Sequence, residues 1–86
     1  METEDARLKR MTMRSWRRGT KEMDIILGRF CDDRLTGLGR DDLDLYDDLL
    51  SENDQDLYQW VTGQVPAPDR FAPLIAVIAA HAGGQG

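Results

Sequence analysis

Apolar residues recur at three- and four-residue spacing in five stretches of this chain, and no stretch keeps the strict alternation of a half-buried strand. The first stretch, about residues 4–18, carries Leu8, Met11 and Ser15 with Thr12 and Trp16 beside them, a narrow stripe that predicts a helix leaning on a core. The second, about residues 21–33, is the most regular: Met23, Ile26, Leu27, Phe30 and Cys31 fall at i, i+3, i+4, i+7 and i+8. A third helix over about residues 41–50 has Leu43, Tyr46, Leu49 and Leu50 inside, Leu45 at the margin and aspartates outside. A fourth, starting after an Asn53 or Asp54 cap and reaching about Thr62, turns Leu57, Trp60 and Val61 inward. In the fifth, Phe71, Leu74, Ile75, Ile78, Ala79 and Ala82 make the stripe, Asp69 is the expected cap and Pro73 is tolerable in the first turn.

The connections are short and carry their own signals. Gly19 interrupts the pattern after the first helix and is expected to take the left-handed turn, with Thr20 capping the second helix. Leu35-Thr36-Gly37-Leu38-Gly39 is a glycine loop whose leucines plug the core. Gly63 ends the fourth helix, and residues 64–68 are too rich in proline for a helix and read as extended. The expected architecture is all-α, a compact five-helix bundle in a single domain over residues 1–86, with mobile ends at about 1–4 and 83–86.

Composition agrees with a globular domain near the lower size limit for a self-sufficient core: 86 residues, 41% hydrophobic and 31% charged. No apolar run is long enough for a membrane span, and the acidic start, Met1-Glu2-Thr3-Glu4-Asp5, resembles neither a secretory signal nor a transit peptide. With a single cysteine, Cys31, these features give the expectation of a bacterial cytoplasmic protein, though a trimmed organelle protein would share them. The net charge of −5 hides an asymmetry: residues 1–22 hold seven Lys/Arg against four Asp/Glu, and the remainder four against twelve. A basic first helix on an acidic body favours a protein partner over a polyanion, because the body repels phosphate.

Catalytic chemistry is sparsely represented. Cys31 lies on a core stripe, and His81 near the end of the last helix reads as a partner for the helix dipole. The aspartates of the third helix lack the ligand order of a calcium loop and read as a solvated face. No phosphate loop, triad or zinc spacing is present, so the chain is read as a non-enzyme, without a metal site or a tightly bound cofactor. What remains is Arg17-Arg18-Gly19-Thr20-Lys21-Glu22, the densest positive charge in the chain, placed at a turn and flanked by Trp16 and Met13. Large apolar groups beside arginines suit an interface.

Arg17-Arg18-Gly19-Thr20-Lys21-Glu22-Met23-Asp24 resembles the R-R-G-x-x-E-x-D signature of the succinate dehydrogenase flavinylation factor family, called SdhE in bacteria and assembly factor 2 in mitochondria. Leu45-Tyr46-Asp47-Asp48-Leu49-Leu50 and Asp54-Gln55-Asp56-Leu57-Tyr58-Gln59-Trp60-Val61 resemble that family's downstream blocks, and the likeness covers roughly residues 8–69. The segment beyond Asp69 is more apolar than the resemblance leads one to expect. The resemblance implies a five-helix chaperone that binds the flavoprotein subunit of succinate dehydrogenase, and in some bacteria that of fumarate reductase. It would promote covalent attachment of FAD to a histidine of that subunit, at the 8α carbon of the flavin. FAD would belong to the partner, and the factor would be a monomer when free, with no nucleic acid and no membrane insertion. Carried over by motif, the partner-binding residues are Arg18, Gly19 and Glu22, flanked by Arg17 and Asp24, with Trp16 added on its own chemistry. The competing readings are a small helical nucleic-acid-binding or regulatory adaptor using Arg7, Lys9, Arg10, Arg14, Arg17 and Arg18, and an enzyme built on Cys31 or His81.

Overall fold

The structure is a computed structural model that describes residues 2–84. Among these residues there are five α-helices and no strand: α1 (Glu4–Trp16), α2 (Lys21–Arg34), α3 (Arg40–Leu49), α4 (Asp54–Val61) and α5 (Ala72–Gly84), with a 3-10 turn at Leu35–Gly37. The expected bundle is therefore present, with boundaries moved by a residue or two, and α1 stops at Trp16 rather than continuing through Arg18.

Three of the helix starts follow from side-chain capping. Thr3 accepts from the Ala6 N–H, Thr20 from the Met23 N–H and Asn53 from the Asp56 N–H. Each satisfies one of the backbone donors that the first turn of a helix leaves without a partner. Asp69 does not do this for α5. The Pro68 carbonyl accepts from the Phe71 and Ala72 N–H groups, so the backbone turn itself starts that helix. α4 ends in a Schellman turn: Gly63 N–H donates to the Trp60 carbonyl and Gln64 N–H to that of Gln59, with Gly63 at φ 79°. The left-handed glycine of the described chain is thus Gly63, and Gly19, expected in that role, is not left-handed.

Met11, Met23, Leu27, Phe30, Tyr46, Leu49, Leu57 and Ile78 are fully buried, and Phe71, Leu74 and Ile75 close the core from α5. The last helix packs inward, as its apolarity favours, with only Val77 of its large side chains well exposed. Leu35 is buried and Leu38 half-buried, as loop plugs should be. Cys31 is buried with its Sγ 3.5 Å from Thr12 Oγ1, a small hydrophobe with a weak polar contact.

Two polar groups lie deep in the bundle. Ser15 Oγ donates to the Met11 carbonyl at 2.8 Å and shares a 2.7 Å hydrogen bond with Tyr46 Oη, which also reaches the Leu27 carbonyl. Burial pushes the Tyr46 phenol well above its ordinary pKa, opposed by the Ser15 hydrogen bond, so it stays neutral and ties α3 to α1 and α2. His81 is more than a dipole partner. It is buried, its Nε2 is 2.7 Å from Asp33 Oδ2, and its ring meets Phe30 edge-on, joining α5 to α2. At the ends, Glu2 pairs with Arg10 and Gly83 lies in α5; the expectation of mobility at Met1, Gln85 and Gly86 lies outside the described residues.

Candidate functional site

The turn between α1 and α2 is built on one buried ion pair. Arg18 leaves α1 pointing inward, with its side chain only 9% exposed, and its Nε donates to Asp54 Oδ1 at 2.7 Å. Its two terminal nitrogens donate to the carbonyls of Leu50 and Glu52, each at 2.8 Å. Those carbonyls lie just past the end of α3, where backbone acceptors lack helical partners and a cation is favoured. Asp54 begins α4 and closes the knot from the other side. Its Oδ2 accepts from the Gly19 N–H and, at 3.2 Å, from the Thr20 N–H. One carboxylate therefore sits at the N-terminal ends of both α2 and α4, where the helix dipoles favour negative charge.

This geometry explains Gly19. A Cβ there would stand 2.8 Å from Asp54 Oδ2, so the position needs a missing side chain rather than a special φ. Asp24 supports the same turn, accepting the Arg18 N–H at 2.5 Å. Trp16 is 40% exposed. Its ring lies on Gly28 of α2, where an added Cβ would collide with the indole, and its Nε1–H donates to Asp32 at 3.2 Å. Trp16 is thus both packed and presented.

Arg17 and Glu22 are different. Both are exposed, and among the described residues neither has a hydrogen-bond or ion-pair partner. The six predicted residues share one end of the molecule but divide by role: Arg18, Gly19 and Asp24 hold the turn, Trp16 bridges the helices, and Arg17 and Glu22 face outward. The turn forms a ridge between two grooves, one of about 320 Å³ lined by Arg10, Met13, Arg14, Arg17 and Arg18, the other lined by Glu22, Asp54 and residues of α4.

Asp54, one of two expected caps for α4, leaves that role to Asn53 and instead anchors the turn from 36 residues away, a pairing with no local signal in the sequence. Sequence reasoning passed over Gly28, although a glycine inside a helical pattern is itself a sign of close approach. The basic stripe of α1 is largely engaged within the fold. Arg7 pairs with Asp44 at 2.6 Å, Arg10 forks onto Asp47 at 2.9 and 3.0 Å, and Arg14 reaches Asp47 and Ser51 at 3.1 Å. The Arg10 hydrogen bonds hold the Asp47 carboxyl below the usual carboxylate range. Of the six cations proposed for nucleic-acid contact, four are engaged within the fold, leaving Lys9 and Arg17.

Fold and turn define a small all-helical domain whose distinctive surface is a polar ridge backed by a buried ion pair. The chain belongs to the family described as flavinator of succinate dehydrogenase, whose model matches residues 9–82 and so takes in α5. It is 38% identical over 73 residues to succinate dehydrogenase assembly factor 2, mitochondrial, of Debaryomyces hansenii, covering 81% of this chain and 51% of the relative. The same-named protein of Meyerozyma guilliermondii is 40% identical over 73 residues, covering 81% of this chain and 54% of the relative. That of Schizosaccharomyces pombe is 37% identical over 70 residues, at 81% and 50%. The chain spans about half the length of these relatives. They are named as mitochondrial proteins, so the expectation of a bacterial cytoplasm draws no support from them. Among the described residues no helix is long and apolar enough to cross a membrane.

Proposed function

We propose that this chain is an assembly factor for succinate dehydrogenase, binding its flavoprotein subunit and promoting covalent attachment of FAD to that subunit. Family membership and the names of the relatives support the assembly role. The observation that carries the docking face is the division within the turn. A partner meets Arg17 and Glu22 at fixed positions, because Arg18, Asp24 and Asp54 hold the backbone between them. A rigid turn loses little conformational entropy on binding, which favours affinity from few contacts. Arg17 offers a planar fork for a carboxylate or carbonyl, and Glu22 an acceptor for a partner's donor.

In this reading FAD is the partner's group and no residue of this chain holds it. The factor acts by stabilising a flavoprotein conformation, without a catalytic group of its own. The test is co-expression of the full chain with a succinate dehydrogenase flavoprotein subunit, followed by denaturation and measurement of flavin fluorescence on the polypeptide. Flavin retained with the factor and reduced without it supports the proposal; equal retention in both arms refutes it.

A further inference from the structure

The groove on the α4 side of the ridge has a composition that points to its occupant. It measures about 360 Å³, near the lower end of ligand-sized pockets at roughly 300–1,000 Å³, and is lined by Glu22, Asp54, Gln55, Tyr58, Gln59 and Gln64. Its described lining carries no cation. Asp54 already pairs with Arg18 and accepts the Gly19 and Thr20 amides, so its charge is compensated within the fold. Glu22 has no ion-pair partner among the described residues, and among them it brings the groove its unpaired charge. Tyr58 lies 39% exposed, and its phenol has no hydrogen-bond partner among the described residues. The left-handed turn at Gly63 folds Gln64 back against α4 through the Gln59 carbonyl, adding a third amide to the lining.

A free carboxylate, an exposed aromatic face and several amide acceptors suit a planar cation with several N–H donors, the chemistry of a guanidinium. We propose that this groove receives an arginine side chain presented by a protein partner, which is paired by Glu22 and covered by the Tyr58 ring. The inference rests on the reading that the chain docks on a protein, and it adds a contact opposite in sign to the one at Arg17. The ridge then recognises a partner surface carrying both charges, an acceptor opposite Arg17 and a cation opposite Glu22. Opposed charges of this kind fix register as well as attraction.

The test uses the isotopically labelled full chain titrated with a blocked Gly-Arg-Gly tripeptide and, separately, its citrulline twin, which keeps the shape and loses the charge. The arginine peptide is expected to move the amide signals of Thr20 to Glu22, Gln55 to Gln59 and Gln64. The citrulline peptide should leave them in place. Tyr58→Leu should weaken the arginine peptide about two- to fivefold, the range of an exposed cation–π contact, and Glu22→Gln should weaken it further. Equal shifts from both peptides, or shifts elsewhere than this groove, overturn the proposal. The titration contains no flavoprotein, so its failure is separable from failure of the flavinylation experiment, and the citrulline comparison needs no variant to fold.

Discussion

Arginine meets aspartate in two regions of this molecule, with different consequences. Along α1 and α3, Arg7, Arg10 and Arg14 share Asp44 and Asp47 in a ladder of side chains mostly between a fifth and three-fifths exposed. At the turn, Arg18 and Asp54 are 9% and 12% exposed, and each makes further hydrogen bonds to backbone. The ladder is redundant, water-screened and tolerant of a lost rung. In the knot, removing one member leaves a buried charge and several backbone groups without partners. The lesson is that charge density in the sequence did not indicate where electrostatics would matter most; burial did.

The sharpest way to break the comparison is Arg18→Met, which keeps the stem and removes the guanidinium. Breaking a buried pair costs about 3–5 kcal/mol, a large fraction of the stability of a domain this small. Urea denaturation should show that loss, and a change below about 1 kcal/mol would mean the knot is no stronger than a surface pair. A smaller effect is expected from Gly19→Ala, which drives a Cβ against the Asp54 carboxylate without removing any charge. Overpacking of this kind costs about 1–3 kcal/mol. Pairing it with Asp54→Ser tests the cause: in that background the added methyl should cost less, and an unchanged cost would mean the carboxylate is not what excludes it.

Sequence alone carried the helices because each of the five has a long stripe, and it singled out the turn because of its unusual charge. It could not divide that turn. Arg17 and Arg18 are identical in type and adjacent, and only the distant Asp54, on the far side of the α3–α4 connection, decides which of them faces inward. The same holds for His81, whose partner Asp33 lies 48 residues away, and for α1's arginines, whose aspartates lie 33 to 37 residues away. Capping at Thr20 and Asn53 was readable because donor and acceptor lie within three residues. Long-range pairing has no such local trace, and the left-handed turn was expected at Gly19 because Gly19, like Gly63, follows a helix.

The ladder should show the opposite behaviour. Asp47→Asn removes the acceptor shared by Arg7, Arg10 and Arg14, and exposed pairs contribute about 0.2–1 kcal/mol each. The loss should therefore be near 1 kcal/mol and shrink in 1 M salt, where screening acts within about 3 Å. A pH profile checks the sign. The folded pKa of Asp47 is lowered, chiefly by Arg10, so its stabilisation is complete above the ordinary carboxylate pKa of about 3.9 and disappears as pH falls through the folded value. Wild type should lose stability on acidification more steeply than Asp47→Asn. Parallel acid limbs would show that the ladder does not stabilise the fold.

The smallest effect on stability should accompany the largest effect on function. Arg17 and Glu22 are exposed and make no hydrogen bond or ion pair among the described residues, so Arg17→Ala and Glu22→Ala should unfold within about 0.5 kcal/mol of wild type, as surface changes do. If the ridge is the docking face, each should nonetheless reduce the flavin retained on the co-expressed flavoprotein subunit, and the double variant should reduce it further. Asp47→Asn is the matched control, because it disturbs charge and stability at least as much but lies off the ridge, and it should leave flavin retention near wild type. The reverse pattern, with the ladder variant impaired and the ridge variants active, would place the partner along α1 and α3. It would leave the exposed pair at the turn as solvated charge, its fixed geometry a consequence of the knot and not a means of recognition.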